Sequence, residues 1–178
     1  MITQHSITPW KHWIADNFLS PECLTEVKNI RHALPQENSG KRVGQGRFFI
    51  TDELKDTYPH LYQLYRSLHD GKYKQFFEQH TGLDYTGLYP RVEVISDIGP
   101  FYLENHCDQP EKRLTALLYT DYEKLWPGTG FGNGERVEAK DNRCFFFVPS
   151  SKTVHCYPAT VFDSVRRCLQ INYWTYTL

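Results

Sequence analysis

The chemistry this sequence can do rests on two histidines, an aspartate and an arginine. His106 and Asp108 stand one residue apart in "ENHCDQPEKRLTALLYTD". Successive side chains of an extended chain alternate faces, so the imidazole and the carboxylate point together and Cys107 points away. Such a pair is two legs of a metal site, an ion pair, or ordinary loop polarity, and the spacing alone does not choose. His155 follows in "PSSKTVHCYPA". Two imidazoles and one carboxylate suit ferrous iron and leave coordination positions open for substrate chemistry. Arg166 opens the apolar stretch "RRCLQINYW". An arginine inside a barrel is costly unless it meets an anion, and its planar fork matches a carboxylate.

Elements must hold these groups in place. "NFLSPECLTEVKNIRHALP" reads as a helix capped by Ser20, with Pro21 at its first position, Glu22 at its positive end and Pro35 as its stop. Leu24, Val27, Ile30 and Leu34 form its apolar stripe. "YPHLYQLYRSLHDGKYKQFFEQHTG" predicts two helices broken near Gly71 and ended by Gly82. From about Tyr89 the period changes to alternation: "RVEVIS", "PFYLENH", "RLTALLYT", "RCFFFVP" and "VRRCLQINYWTY" all read as strands. In "RLTALLYT", Arg113, Thr115, Leu117 and Tyr119 share one face, with Leu114, Ala116 and Leu118 on the other. In the last strand Arg166, Cys168, Gln170 and Asn172 oppose Arg167, Leu169, Ile171 and Tyr173. The more apolar sets are expected against the helices, and this parity favours Arg166 over Arg167 as the cleft residue. Helices first and strands second predict an α+β chain with a mainly β core.

Composition narrows the partners. The 178 residues suit one domain with a real core, and 40% hydrophobic with 15% aromatic content argues for a packed globule. A net charge of −1 with mixed signs lacks the footprint of a nucleic-acid or membrane-surface binder. "MITQHSITPWKHW" holds no apolar run of signal-peptide or membrane-span length, so a cytoplasmic location is the expectation. The five cysteines, Cys23, Cys107, Cys144, Cys156 and Cys168, contain no CxxC pair and read as reduced, mostly buried thiols.

Taken in order, "HCDQPEKRLTALLYT", "GTGFGNGE", "NRCFFFVPSSKTVHCYPA" and "RRCLQINYW" resemble the core of the Fe(II)/2-oxoglutarate-dependent dioxygenases, most nearly the prolyl-4-hydroxylase-like branch. The likeness covers roughly Arg91 to Trp174, and the "NFLSPEC" opening also resembles that branch. It implies a double-stranded β-helix, a cupin-like jelly-roll, with residues 1–88 as helical support and 89–178 as core of a single domain. It implies Fe(II) bound by His106, Asp108 and His155, and 2-oxoglutarate held by Arg166 and Tyr119. With O2, and ascorbate as an accessory reductant, the implied outcome is hydroxylation of an unactivated C–H bond with release of succinate and CO2.

The sequence departs from the pattern in two places. Asp97 stands in "SDIGPFYLENH" near where relatives carry an aromatic residue, and "GTGFGNGE" replaces the usual "GG-x-L" stretch. Arg47, Arg113 and Tyr102 are substrate-contact candidates, with Phe48 and Phe49 as aromatic lining. The expected substrate is a small molecule or an amino-acid residue within a peptide; the short chain points toward the former. A non-catalytic metal-binding jelly-roll and a zinc hydrolase using the same three ligands stand as the alternative classes. The oligomeric state is not set by the sequence.

Overall fold

The computed structural model describes residues 2–30, 45–120 and 126–176. Among the described residues, three α-helices cover one face of a strand-rich core. α1 (Pro21–Asn29) starts as expected, with Ser20 Oγ accepting from the Cys23 amide at 3.3 Å. Its expected stop at Pro35 and the stripe residue Leu34 lie outside the described residues. α2 (Pro59–Asp70) buries Leu61, Leu64 and Leu68, and α3 (Lys72–Thr81) buries Tyr73 and Phe77. Gly71 separates the two, and Gly82 closes α3 at φ 75°, a left-handed conformation that glycine adopts without a Cβ penalty.

The strands are β1 (Ile2–Ser6), β2 (His12–Asp16), β3 (Gln45–Phe49), β4 (Tyr89–His106), β5 (Lys112–Tyr119), β6 (Gly130–Phe131), β7 (Arg143–Phe147) and β8 (His155–Trp174). All pair antiparallel in the order β1-β2-β7-β5-β8-β4-β3, with β6 added to β8. Two long strands make this a double-stranded β-helix. The end of β4 pairs with the start of β8, whose other side takes β6, in one sheet. The start of β4 pairs with the end of β8, beside β5, in the other. A register shift between Asp97 and Gly99 falls where β4 passes from one sheet to the other.

Alternation sorts the two faces as expected. Leu114, Ala116, Leu118, Leu169, Ile171 and Tyr173 pack with the helices in the main core. Tyr173 seals that contact: its ring stacks on Tyr85 at 4.5 Å and its hydroxyl donates to the Leu68 carbonyl of α2. The opposite face turns inward, where Tyr119, Phe131, Phe145 and Phe147 fill one end of the barrel and leave a cleft at the other. The first third of the chain also carries strands: β1 and β2, which the sequence pattern does not mark, extend the sheet at one edge, and β3, the short aromatic strand expected in "GRFFI", extends it at the other. No helix among the described residues is long and apolar enough to cross a membrane.

Candidate metal centre

His106 ends β4 and His155 begins β8, and the two are cross-strand partners in the register. Their rings therefore meet, with centroids 4.3 Å apart. The Nδ1 of His106 lies 2.8 Å from the Glu104 carbonyl, and the Nδ1 of His155 lies 2.9 Å from the Thr153 carbonyl. A carbonyl can only accept, so each Nδ1 carries the proton and each Nε2 offers a lone pair. Asp108 joins them from the loop after β4, and one donor atom from each of the three lies within 4.8 Å of the others. This set can hold a metal ion.

Electrostatics keep His155 and Asp108 in their binding forms. Burial holds the His155 pKa below its ordinary value, against the pull of Asp108, so the ring is neutral at pH 7. Burial alone would raise Asp108. The charge of Lys112 and the bonds from Lys112 and Thr115 outweigh it and hold the carboxyl below its ordinary value. Lys112 Nζ donates to Asp108 Oδ1 at 2.7 Å, and Thr115 Oγ1 donates to Oδ2 at 2.7 Å. Such contacts orient a carboxylate before any metal arrives. Phe147 abuts His155 at 5.1 Å and limits water on that side.

Arg166 lines the same cleft and is 8% exposed. Its Nη1 is ion-paired with Asp97, which is fully buried and sits directly opposite in the β4–β8 register. The guanidinium also lies 4.6 Å over the Tyr157 ring. Arg167 does not line the cleft. Tyr119 is buried behind the wall: its hydroxyl meets Thr129 Oγ1 at 2.7 Å and accepts from the Thr129 amide at 3.0 Å. Burial pushes this phenol up to about 12, so it is neutral. Thr129, not Tyr119, reaches the cleft surface.

The other sequence candidates divide. Arg47 lines the cleft and donates to buried Glu93 at 3.0 Å. Arg113 does not: it is exposed, at a register shift between Lys112 and Leu114, and the irregularity turns Lys112 inward in its place. Tyr102 is 47% exposed and is also outside the lining. Phe48 packs on the helix-side core, while Phe49 borders a neighbouring aromatic cavity. Cys156, next to His155, also lines the cleft.

At the level of sequence, no protein-family model and no curated protein matches the chain. Solved structures do. A collagen prolyl hydroxylase from Paramecium bursaria Chlorella virus-1, solved with 2-oxoglutarate, aligns with TM-score 0.63 over 93% of this chain and 96% of its own, at 14% identity. The fold is that of the 2-oxoglutarate/Fe(II) oxygenases. Among the oxygenases of this fold, an epimerase of nogalamycin biosynthesis aligns with TM-score 0.63 at 15% identity, covering 91% and 76% of the two chains. A Trichoplax adhaerens prolyl hydroxylase bound to a hypoxia-inducible-factor peptide aligns with TM-score 0.56 at 19% identity, covering 92% and 83%.

Sequence reasoning on this oxygenase fold missed Lys112, Thr115, Thr129, Arg91 and Glu93 near the candidate centre. Alternation carried a signal for two of them. Arg91, Glu93, Ile95 and Asp97 share one face of β4, so an arginine and two acids recur at even spacing inside an otherwise apolar strand.

Proposed function

We propose that the protein is an Fe(II)- and 2-oxoglutarate-dependent oxygenase that hydroxylates an unactivated C–H bond, with His106, Asp108 and His155 as iron ligands and Arg166 as the seat of the cosubstrate's far carboxylate. The observation that carries this reading is the meeting of two outward Nε2 lone pairs and one carboxylate, with a buried arginine in the same cleft. When bound with 2-oxoglutarate and O2, iron at such a centre supplies oxidative decarboxylation coupled to C–H oxidation. The chain's own part is positioning. Lys112 and Thr115 fix Asp108, the Glu104 and Thr153 carbonyls fix the two imidazoles, and Asp97 orients the guanidinium fork. The fork carries five N–H donors, so the bond to Asp97 leaves it able to meet a carboxylate. Tyr119 acts through Thr129, which it holds at the cleft surface. The cleft, about 110 Å³, has room for one small molecule.

The test is an anaerobic titration of apoprotein with Fe(II) and 2-oxoglutarate, followed through the visible charge-transfer band of the chelate. Wild type is expected to develop the band, Arg166→Ala to need about tenfold or more 2-oxoglutarate for it, and Asp108→Ala to lose hydroxylation. Iron binding without a band would indicate a metal-binding jelly-roll. Selective zinc retention with indifference to 2-oxoglutarate would indicate a hydrolase.

A further inference from the structure

Beyond the metal position, the charged groups around the cleft include one more cation than carboxylate. Among the described residues, Arg47, Arg91, Lys112 and Arg166 face the cleft, against the carboxylates Glu93, Asp97 and Asp108. Glu93 is fully buried and shared by two of these cations, Arg47 at 3.0 Å and Arg91 at 2.9 Å. Iron at the centre would take up Asp108, now the partner of Lys112. A positive surplus therefore collects on the side of Arg91 and Lys112.

The same place holds two hydrogen-bond donors with nothing to receive them. Arg91 Nε and Trp174 Nε1 are both buried without a partner, and Trp174 is only 3% exposed. They are neighbours: the Arg91 guanidinium lies 5.1 Å over the Trp174 ring, and Lys112 Nζ lies 5.4 Å over the same ring. Buried donors are costly to leave unmade. Both orphan atoms are donors and the local charge is positive, so the missing group is an anionic acceptor. A carboxylate is the fitting one: its oxygens only accept, its charge offsets the surplus, and with Arg91 Nη2 engaged by Glu93 the guanidinium's Nε–H is a donor left to meet it.

Position says what that carboxylate belongs to. Lys112 touches Asp108 at 2.7 Å, so the seat is one side chain from the metal ligands. Arg91 and Trp174 also wall the adjoining cavity of about 460 Å³, bordered by Phe49, Tyr65, Tyr89 and Tyr176. The seat is thus the junction between the small metal cleft and a larger aromatic one.

We propose that the substrate oxidised here is a small carboxylic acid, such as a free amino acid, anchored through its carboxylate on Arg91, Trp174 Nε1 and Lys112, with the reacting C–H a few bonds from that carboxylate. This rests on the oxygenase reading for the reaction but not for the seat itself. The seat is tested by binding, without turnover. Protein loaded with Mn(II) and saturating 2-oxoglutarate is titrated with the free L-amino acids and small hydroxy acids, each paired with its amide, following tryptophan fluorescence and thermal shift. At least one acid is expected to saturate, with its amide weaker by about tenfold or more. Arg91→Gln should weaken that acid by about tenfold or more, and Trp174→Phe, which keeps the ring and removes only the N–H, by about fivefold. Both variants should retain the 2-oxoglutarate affinity of wild type; Trp174→Phe keeps the test decisive should Arg91→Gln fold poorly around Glu93. Equal binding of acids and amides, silence across the whole panel, or full binding in Trp174→Phe overturns the proposal. Exclusion of the acids by 2-oxoglutarate, relieved when it is omitted, would also overturn it by making the seat the cosubstrate's own. Acid discrimination in a protein that does not bind 2-oxoglutarate would leave the carboxylate seat standing and remove the oxygenase reading instead.

Discussion

Asp97 sets a problem for Arg166 that the rest of the cleft must solve. The two are buried and paired across β4 and β8, so the guanidinium is already neutralised before any cosubstrate arrives. Breaking a buried pair by removing one charge costs about 3–5 kcal/mol, because the other charge is left uncompensated. Asp97→Asn is therefore expected to lower stability by about that amount. The same substitution strengthens the field that an incoming carboxylate meets, so 2-oxoglutarate with Mn(II) should raise the melting temperature of the variant more than that of wild type. Equal ligand-induced shifts in both proteins would remove Arg166 from the cosubstrate site. The residue scale is also where sequence reading met its limit. Parity placed Arg166 on the inner face and Arg167 off it, because an uninterrupted strand keeps its alternation. Parity misplaced Arg113, because a register shift next to it exchanges the faces of its neighbours. Nothing in "PEKRLT" marks that irregularity.

Elements hold one another through their ends as well as their faces. α2 has no side-chain cap of its own at Tyr58; its first amides are satisfied from another helix. Glu26 of α1 accepts from the His60 amide at 3.1 Å and the Leu61 amide at 2.8 Å, placing a carboxylate at the positive end of α2. Glu26→Ala should cost about 1–2 kcal/mol in a urea unfolding experiment. Glu26→Gln, which keeps an acceptor but loses the charge, should cost about half as much. Equal, negligible losses would mean that water replaces the cap. The helices themselves were legible, since Gly71, Gly82, Ser20 and the Leu61, Leu64, Leu68 stripe act locally. β1 and β2 were not. "ITQHS" and "HWIAD" lack strong alternation; β2 becomes a strand through pairing with β7, more than a hundred residues away, and β1 through pairing with β2.

At the scale of the whole molecule, the edge formed by β1 and β2 is fastened to the core by charge. Asp16, at the end of β2, accepts from Arg143 Nε at 2.7 Å and Nη2 at 3.1 Å, and from Lys140 Nζ at 3.0 Å. The Arg143 bond, with help from Lys140 against the opposing effect of burial, lowers the Asp16 pKa from 3.8 to about 2. A carboxyl whose pKa is depressed on folding binds fewer protons in the native than in the unfolded state as pH falls. Its contribution is therefore complete above about pH 4 and is lost as pH drops through about 2. At this partly exposed site, solvent screening limits that contribution to about 1 kcal/mol. Other acids titrate over the same range, so the comparison must be between wild type and Asp16→Asn. Urea unfolding at pH 7, 5, 4, 3 and 2.5 should give a wild-type advantage that is constant down to about pH 4 and then shrinks toward zero. An advantage that persisted undiminished at the lowest pH would mean that Asp16 stabilises the edge by packing, and that the fork on Arg143 is incidental to holding β2 in the sheet.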